Sequence, residues 1–420
     1  MDIKFLIVLP FIILLLSISF IPLINKNWWE KKYPVISISL AIIVVLFYFI
    51  VFKESGSIYH ALEEYFSFIV LLFSLYVISG GVFFNIKGKA TPIKNVLLLL
   101  AGAVIANLFG TTGASILLIR PYINSNKYHL RPYHIVFFIF LVSNIGGSLT
   151  PIGDPPLFIG YLKGIPFFWI TERMFLLWIM TVIYLLIIFY IIDNYYFHKI
   201  RKNVLQQIEH KPEEFKFMGI KNVFFLLGVV GCVFITKPMF LREFLMLSLT
   251  FLSYKFTHVE IHKRNKFSFD PIKEVAILFI GIFITMVPAL ELISNNSKSL
   301  GINTPSQYFW FSGILTSFLD NAPTYLNFLT ASMAAFDLNI NMINDVLKFT
   351  ADYKDFIISI STGSVFFGAM TYIGNGPNFM IKSISESKGV KMPGFLQYIY
   401  KYSIPVLIPF FLILWLLFFR

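Results

Sequence analysis

Two carboxylates lie where an apolar chain can least accommodate charge. Asp154 ends the run Thr150-Pro-Ile-Gly-Asp154 and is followed by Pro155-Pro156; Asp320 opens Asp320-Asn-Ala-Pro-Thr324. Each falls in a short Gly/Pro-rich interruption of a long apolar stretch, and an acid at membrane depth is costly and marks an ion or proton pathway. Either could also cap the half-helix that follows, since Asp accepts hydrogen bonds from the first free N–H groups of a helix. The two roles are compatible. Neutral oxygens surround them: Asn107, Thr111, Thr112, Ser143, Asn144, Thr150, Asn321, Thr324, Ser364, Thr371 and Asn375. Unwound Gly and Pro positions free backbone carbonyls for a hard cation such as Na⁺, and half-helix N-termini can face an anion. A single Ser, Thr or Gly in a membrane helix is equally well explained by close helix packing; a matched set is not.

The set is matched. Ser143, Gly147, Thr150, Ile152, Gly153, Pro156 and Phe158 align without a gap on Ser364, Gly368, Thr371, Ile373, Gly374, Pro377 and Phe379, 221 positions later. Paired broken helices in corresponding halves are the best sequence pointer to a transported substrate's site. Two further interruptions fall at Asn107-Leu-Phe-Gly-Thr-Thr-Gly113 and Asp320–Thr324. Non-helical backbone is tolerated in a bilayer only where it is buried in protein or lines a wet cavity, so the four breaks are expected to meet near the midplane. No Lys or Arg falls in any of them. That absence favours a cation as the substrate, bound as Na⁺ at Asp154 and Asp320 with Thr150, Ser143, Asn144 and Asn321 completing the shell. Asn107, Thr111, Thr112, Thr324, Ser364, Thr371 and Asn375 then line the cavity.

The elements that must position these residues are membrane helices. Hydrophobic residues make up 57% of the 420 and charged residues 13%, with 49 Phe, far from the balance of a soluble domain. The net charge of +12 does not signal nucleic acid, because the Lys and Arg lie in short connections between spans, the pattern that sets membrane orientation. The single cysteine, Cys232, excludes an internal disulfide or a cysteine-based metal cluster. His258-Val-Glu-Ile-His262 is not the zinc-protease order and reads as a solvated face. No Gly-rich phosphate loop or serine elbow occurs, so neither ATP-driven transport nor hydrolase chemistry has support, and no nucleophile–base pair for an intramembrane enzyme is found. The first span reads as a retained helix, since it lacks a small-residue cleavage site.

Loop charge then orders the chain, all-α and polytopic, as two repeats of five spans, each with one re-entrant hairpin and one broken helix. The first, 1–192, comprises spans 3–24, 34–52 and 66–84, hairpin 94–120, broken helix 133–163 and span 172–192. A basic cytoplasmic linker follows at 193–217. The second, 218–420, comprises spans 219–236, 239–254 and 272–294, hairpin 305–336, broken helix 356–388 and span 396–419. Basic flanks (Lys87, Lys89, Lys94 and Arg120, Lys127, Arg131) put the first hairpin on the cytoplasmic side, and acidic ones (Asp337, Asp345, Asp352) put the second outside. Five crossings is an odd number, so the repeats are expected to have inverted topology.

Ser143-Asn-Ile-Gly-Gly-Ser-Leu-Thr-Pro-Ile-Gly-Asp154, with Leu319-Asp-Asn-Ala-Pro-Thr324, resembles the ion-transporter superfamily. The resemblance is nearest to D-type sodium/proton antiporters and to citrate-transporter-like and arsenite permease relatives. It covers most of the chain in topology and is strongest at the breaks. It implies two inverted repeats with scaffold and transport parts, a homodimer through the scaffold helices, and elevator-like movement in a bacterial-type cytoplasmic membrane. Ser143, Asn144, Thr150 and Asp154 match the first-half motif, and Asp320 and Asn321 the second-half hairpin. Asn375 departs from the pattern by standing where the first half has Asp154. The Ser-Asn-Thr signature of the dicarboxylate branch is absent as such, although Asn107 and Thr111-Thr112 occupy a comparable tip. The reading from sequence is therefore a secondary antiporter exchanging Na⁺ (or Li⁺) for H⁺, with no other cofactor. The alternative is a sodium- or proton-coupled carrier of citrate or dicarboxylate, and arsenite export stands third.

Overall fold

Apolar runs of some twenty residues become helices in a bilayer because only a helix satisfies every backbone N–H and C=O within its own segment. In the computed structural model of the chain the described residues are 6–87, 91–127, 129–199, 214–235, 237–296 and 301–420. Six of their helices are long and apolar enough to cross a membrane. The protein is thus an integral, multi-pass, helical membrane protein. Its exposed Ile, Leu and Phe side chains, such as Ile42, Ile187, Phe251 and Leu417, are those of a surface solvated by lipid rather than water.

The chain begins with α1 (Leu9–Ile24), α2 (Lys26–Phe47, continued by a π turn over Tyr48–Phe52) and α3 (Gly56–Gly80). Strand β1 (Phe83–Lys87) leads to α4 (Pro92–Ser125), and α5 (Pro132–Leu141) and α6 (Pro155–Lys163) flank a long irregular segment before α7 (Phe167–Phe197). Strand β2 (Glu214–Met218) introduces α8 (Ile220–Val233), α9 (Leu241–Phe256), the short α10 (Val259–Asn265) and α11 (Asp270–Asn296). Next come α12 (Pro305–Thr316), α13 (Asn321–Ala335), α14 (Ile343–Asp352), α15 (Lys354–Phe366) and α16 (Gly376–Ser387). A short α17 (Phe395–Tyr398), a π turn and α18 (Ile404–Phe418) end the chain.

α4 is long enough to span, yet it folds back. Gly110 carries φ +73° inside it, a left-handed conformation that Gly adopts without the clash a Cβ would meet. The ends of the two limbs are then reciprocally bonded: Asn95 and Asn126 each donate from Nδ2 to the other's Oδ1 at 2.8 Å. α12 and α13 form the second hairpin, turning over Ser317–Asp320, with Tyr308 and Phe328 in edge contact across the limbs. The second halves of the broken helices cross between the two parts of the chain. α6 packs against α13, and α16 against α4 and α5.

Several sequence boundaries move. Residues 25–33 and most of 53–65, which the expected spans leave as connections, are helix: α2 starts at Lys26 and Glu63 and Glu64 ride on α3. Long charged side chains at helix ends carry their heads away from the apolar layer, so they do not stop a helix. Glu64 is paired with Lys163 of α6 at 2.6 Å. The acidic flank of the second hairpin, 337–353, contains α14. The end of the basic linker, 193–217, is a strand: β2 pairs antiparallel with β1, Phe83 opposite Met218 and Lys87 opposite Glu214. Its period-two pattern Glu-Phe-Lys-Phe was the available signal; most of that linker, 200–213, lies outside the described residues. His262 is not on a solvated face, for Tyr254 and Phe267 pack around it in tilted contacts with ring centroids 5.1 and 5.0 Å away.

Candidate functional site

Proline decides where each half-helix restarts. Pro155 occupies the first position of α6 and Pro377 the second of α16, where the missing N–H costs nothing and the fixed φ suits a helix. Asp154 and Asn375 are consequently the N-caps of these two half-helices, with nearly the same backbone (φ −142°, ψ 141° and φ −154°, ψ 139°). Asp320 caps α13, accepting the Ala322 N–H at Oδ1 at 3.1 Å, so the capping role read from sequence is realised there.

The four breaks meet at Asp154. Its carboxylate is buried to 1% exposure and accepts three hydrogen bonds, one from each of the other breaks. Thr111 Oγ1 donates to Oδ1 at 2.8 Å and Asn375 Nδ2 to the same oxygen at 3.1 Å; Asn321 Nδ2 donates to Oδ2 at 2.7 Å. Thr111 opens the second limb of the first hairpin and Asn321 is the first residue of α13. Four half-helix N-termini therefore converge on one carboxylate. Each carries a partial charge of about +0.5, which offsets the cost of holding an anion where none of the four breaks contains a Lys or Arg.

Asn375 continues the network, donating also to Asn144 Oδ1 and to the Ser143 carbonyl at 3.2 Å. Asn144 in turn donates to Asn378 Oδ1 at 2.7 Å. Ser143 and Ser115 share a hydrogen bond of 2.7 Å. Other predicted residues are occupied in building the breaks. Asn107 accepts the Leu149 N–H and donates to the Gly146 carbonyl, binding the first hairpin tip to the first broken helix. Thr150 donates to the Asn107 carbonyl and Thr371 to the Ser317 carbonyl, the same tie made once in each half. Each threonine also accepts an N–H three residues on, from Gly153 and Gly374. Gly153 has no alternative residue type, since a Cβ there would stand 2.0 Å from the Gly147 carbonyl oxygen. Thr324 donates back to the Asp320 carbonyl, and Thr112 is half-buried beside the tip.

A second feature is polar capacity left over. Asn321 Oδ1, Thr316 Oγ1 and Ser364 Oγ are buried with no hydrogen-bond partner among the described residues. Orphaned buried oxygens are uncommon, and at a functional site they mark room for a ligand, ion or water. They lie on the second-half elements α12, α13 and α15.

Sequence reasoning missed two residues. Asn378 donates to the Gly368 and Thr371 carbonyls at 2.8 and 2.9 Å and accepts from Asn144, so it holds the second break in shape and links it to the first. Its signal was present: the position 221 earlier is Leu157, a polar-for-apolar departure one turn after Asn375. Ser115, the partner of Ser143, lies in an unremarkable helical stretch and had none.

With the geometry of this crossing established, comparison places the chain. It belongs to the family described as "Putative citrate transport", whose model matches residues 1–419. Among curated proteins none matches it.

Proposed function

Starting from that family membership, we propose that the protein is a secondary transporter of citrate-class carboxylates coupled to cations. The observation that carries the reading is the convergence of four half-helix N-termini around Asp154. Four such ends supply about +2 in all, at about +0.5 each. Asp154 already draws on part of that field, and a fully ionised citrate brings three negative charges. The protein alone falls short by about two charges, so the substrate must enter with bound cations or protons. The unpartnered oxygens of Asn321, Thr316 and Ser364 are the ligands we assign to a coupling Na⁺, with Asp320 one residue from Asn321. The two hairpins and two broken helices act as the moving transport part in an elevator-type cycle, in an inverted-repeat homodimer.

A second reading has its own support. Asp154 and Asp320 with no basic neighbour in the breaks suit Na⁺(Li⁺)/H⁺ exchange, in which the carboxylates alternately hold cation and proton. Purified protein in liposomes separates the two. Saturable uptake of labelled citrate that rises with an inward Na⁺ or H⁺ gradient supports the first. A pH-dye response to Na⁺ or Li⁺ with no citrate uptake overturns it in favour of exchange.

A further inference from the structure

Away from Asp154, three ionisable side chains gather where the first hairpin, the first broken helix and α7 end together. His129 lies in the connection leaving α4, His134 in the first turn of α5, and Asp193 in the last turns of α7. One ligating atom from each, two imidazole nitrogens and a carboxylate oxygen, stands within 4.8 Å of the others. His134 and Asp193 are fully buried, with His134 Nε2 3.1 Å from Asp193 Oδ1. Both ring nitrogens of His129 are buried with no hydrogen-bond partner among the described residues. A packed imidazole that satisfies neither nitrogen has no structural justification in hydrogen bonding.

From this geometry we propose a transition-metal site of the Zn²⁺ class, with His129, His134 and Asp193 as protein ligands. Two imidazoles and one carboxylate with an open fourth position match the donor set of such ions. Bonds of about 2.0 Å in tetrahedral array would bring the ligand atoms to about 3.3 Å apart, so the site closes by somewhat over 1 Å from the 4.8 Å limit within which they now stand. The surroundings are those of a supported metal centre. His134 Nδ1 faces both the N–H and the carbonyl of Arg131, at 3.1 and 3.3 Å; binding a metal through Nε2 takes the tautomer whose Nδ1–H turns to that carbonyl in place of accepting the N–H. Asp193 is oriented by Tyr133, donating at 2.7 Å, and Asn95, donating at 2.9 Å. Phe189 and Phe197 wall the imidazoles. Such outer partners set the tautomer and orientation of metal ligands. Asn95 also binds Asn126, so the ion would clamp both hairpin limbs to α5 and α7.

The test uses the full chain in detergent, affinity tag removed and stripped with chelator, titrated with Co²⁺ as a spectroscopic substitute. Wild type is expected to bind one Co²⁺ at this site with the visible bands of a tetrahedral ion, displaced by Zn²⁺. His129→Ala, which removes no side-chain hydrogen bond among the described residues, is expected to stay folded without metal and weaken Co²⁺ binding more than about tenfold. His129→Cys restores binding and adds a thiolate-to-cobalt charge-transfer band, a signal that a merely structural role would not produce. Equal Co²⁺ stoichiometry and spectra in wild type and His129→Ala, or no chelator-sensitive Co²⁺ in wild type, would overturn the site. Neither outcome depends on what the protein transports.

Discussion

Asn375 donates to the carboxylate of Asp154 at 3.1 Å, although the two residues occupy the same position in the two broken helices, 221 residues apart. Two acids there would face each other across a buried contact and repel. One acid and one amide make a hydrogen bond instead, and the departure from the repeat is what allows its two copies to touch.

Asp154→Asn is expected to abolish transport while leaving expression and elution unchanged. The amide keeps the size of the side chain but loses the charge and puts an N–H₂ in place of one oxygen, either the one to which Asn321 donates or the one to which Asn375 and Thr111 donate. Losing a hydrogen bond to a charged group costs about 1.5–3 kcal/mol, so the assembly of the four breaks around the site should weaken at least about tenfold, and transport with it. Initial uptake rates in proteoliposomes check this, and wild-type rates would refute it.

Asp320 permits its two roles to be separated. Asn caps a helix about as well as Asp, whereas Ala costs about 1 kcal/mol at an N-cap. Asp320→Asn should therefore keep the wild-type thermal midpoint yet lose the cation dependence of uptake, and Asp320→Ala should lose both. Uptake by Asp320→Asn with an unaltered Na⁺ or pH dependence would leave Asp320 as a cap and nothing more.

Asn378→Leu installs the residue found at the matching position of the first half, Leu157. It strips partners from the buried Asn144 amide and from the Gly368 and Thr371 carbonyls. Unsatisfied buried groups cost about 1–3 kcal/mol each, so the variant should melt well below wild type in detergent. An unchanged melting curve would show that the repeat position tolerates either residue.

His262 gives a pH dependence outside the membrane. Burial among Tyr254 and Phe267 pushes its imidazole below the usual range. The unfolded chain therefore binds a proton that the folded one resists, and stability is level above about pH 6.5 and falls as pH drops below it. His262→Phe should flatten part of that fall, seen as a smaller difference between thermal midpoints at about pH 7.5 and about pH 5.5. An identical acid loss in both proteins would assign the effect to other groups.

What was legible in sequence was what local chemistry dictates. Long apolar runs require helices in lipid, prolines and glycines require those helices to break where they do, and an acid in such a break must have partners. Asp154 could thus be singled out, and so could the breaks that surround it. The partners themselves come from chain positions 43, 167 and 221 residues away, and only the packing of α6 on α13 and of α16 on α4 and α5 decides which of many neutral oxygens reach the carboxylate. Thr111, Asn321 and Asn375 do; Asn107, Thr150 and Thr371, alike in type, are used to bind hairpin tips to broken helices. The gathering of His129, His134 and Asp193 had no trace in sequence, because it needs the hairpin to return its two ends to one place. A helix break is a local event read from residue types, whereas a binding shell is a coincidence in space that only the tertiary structure creates.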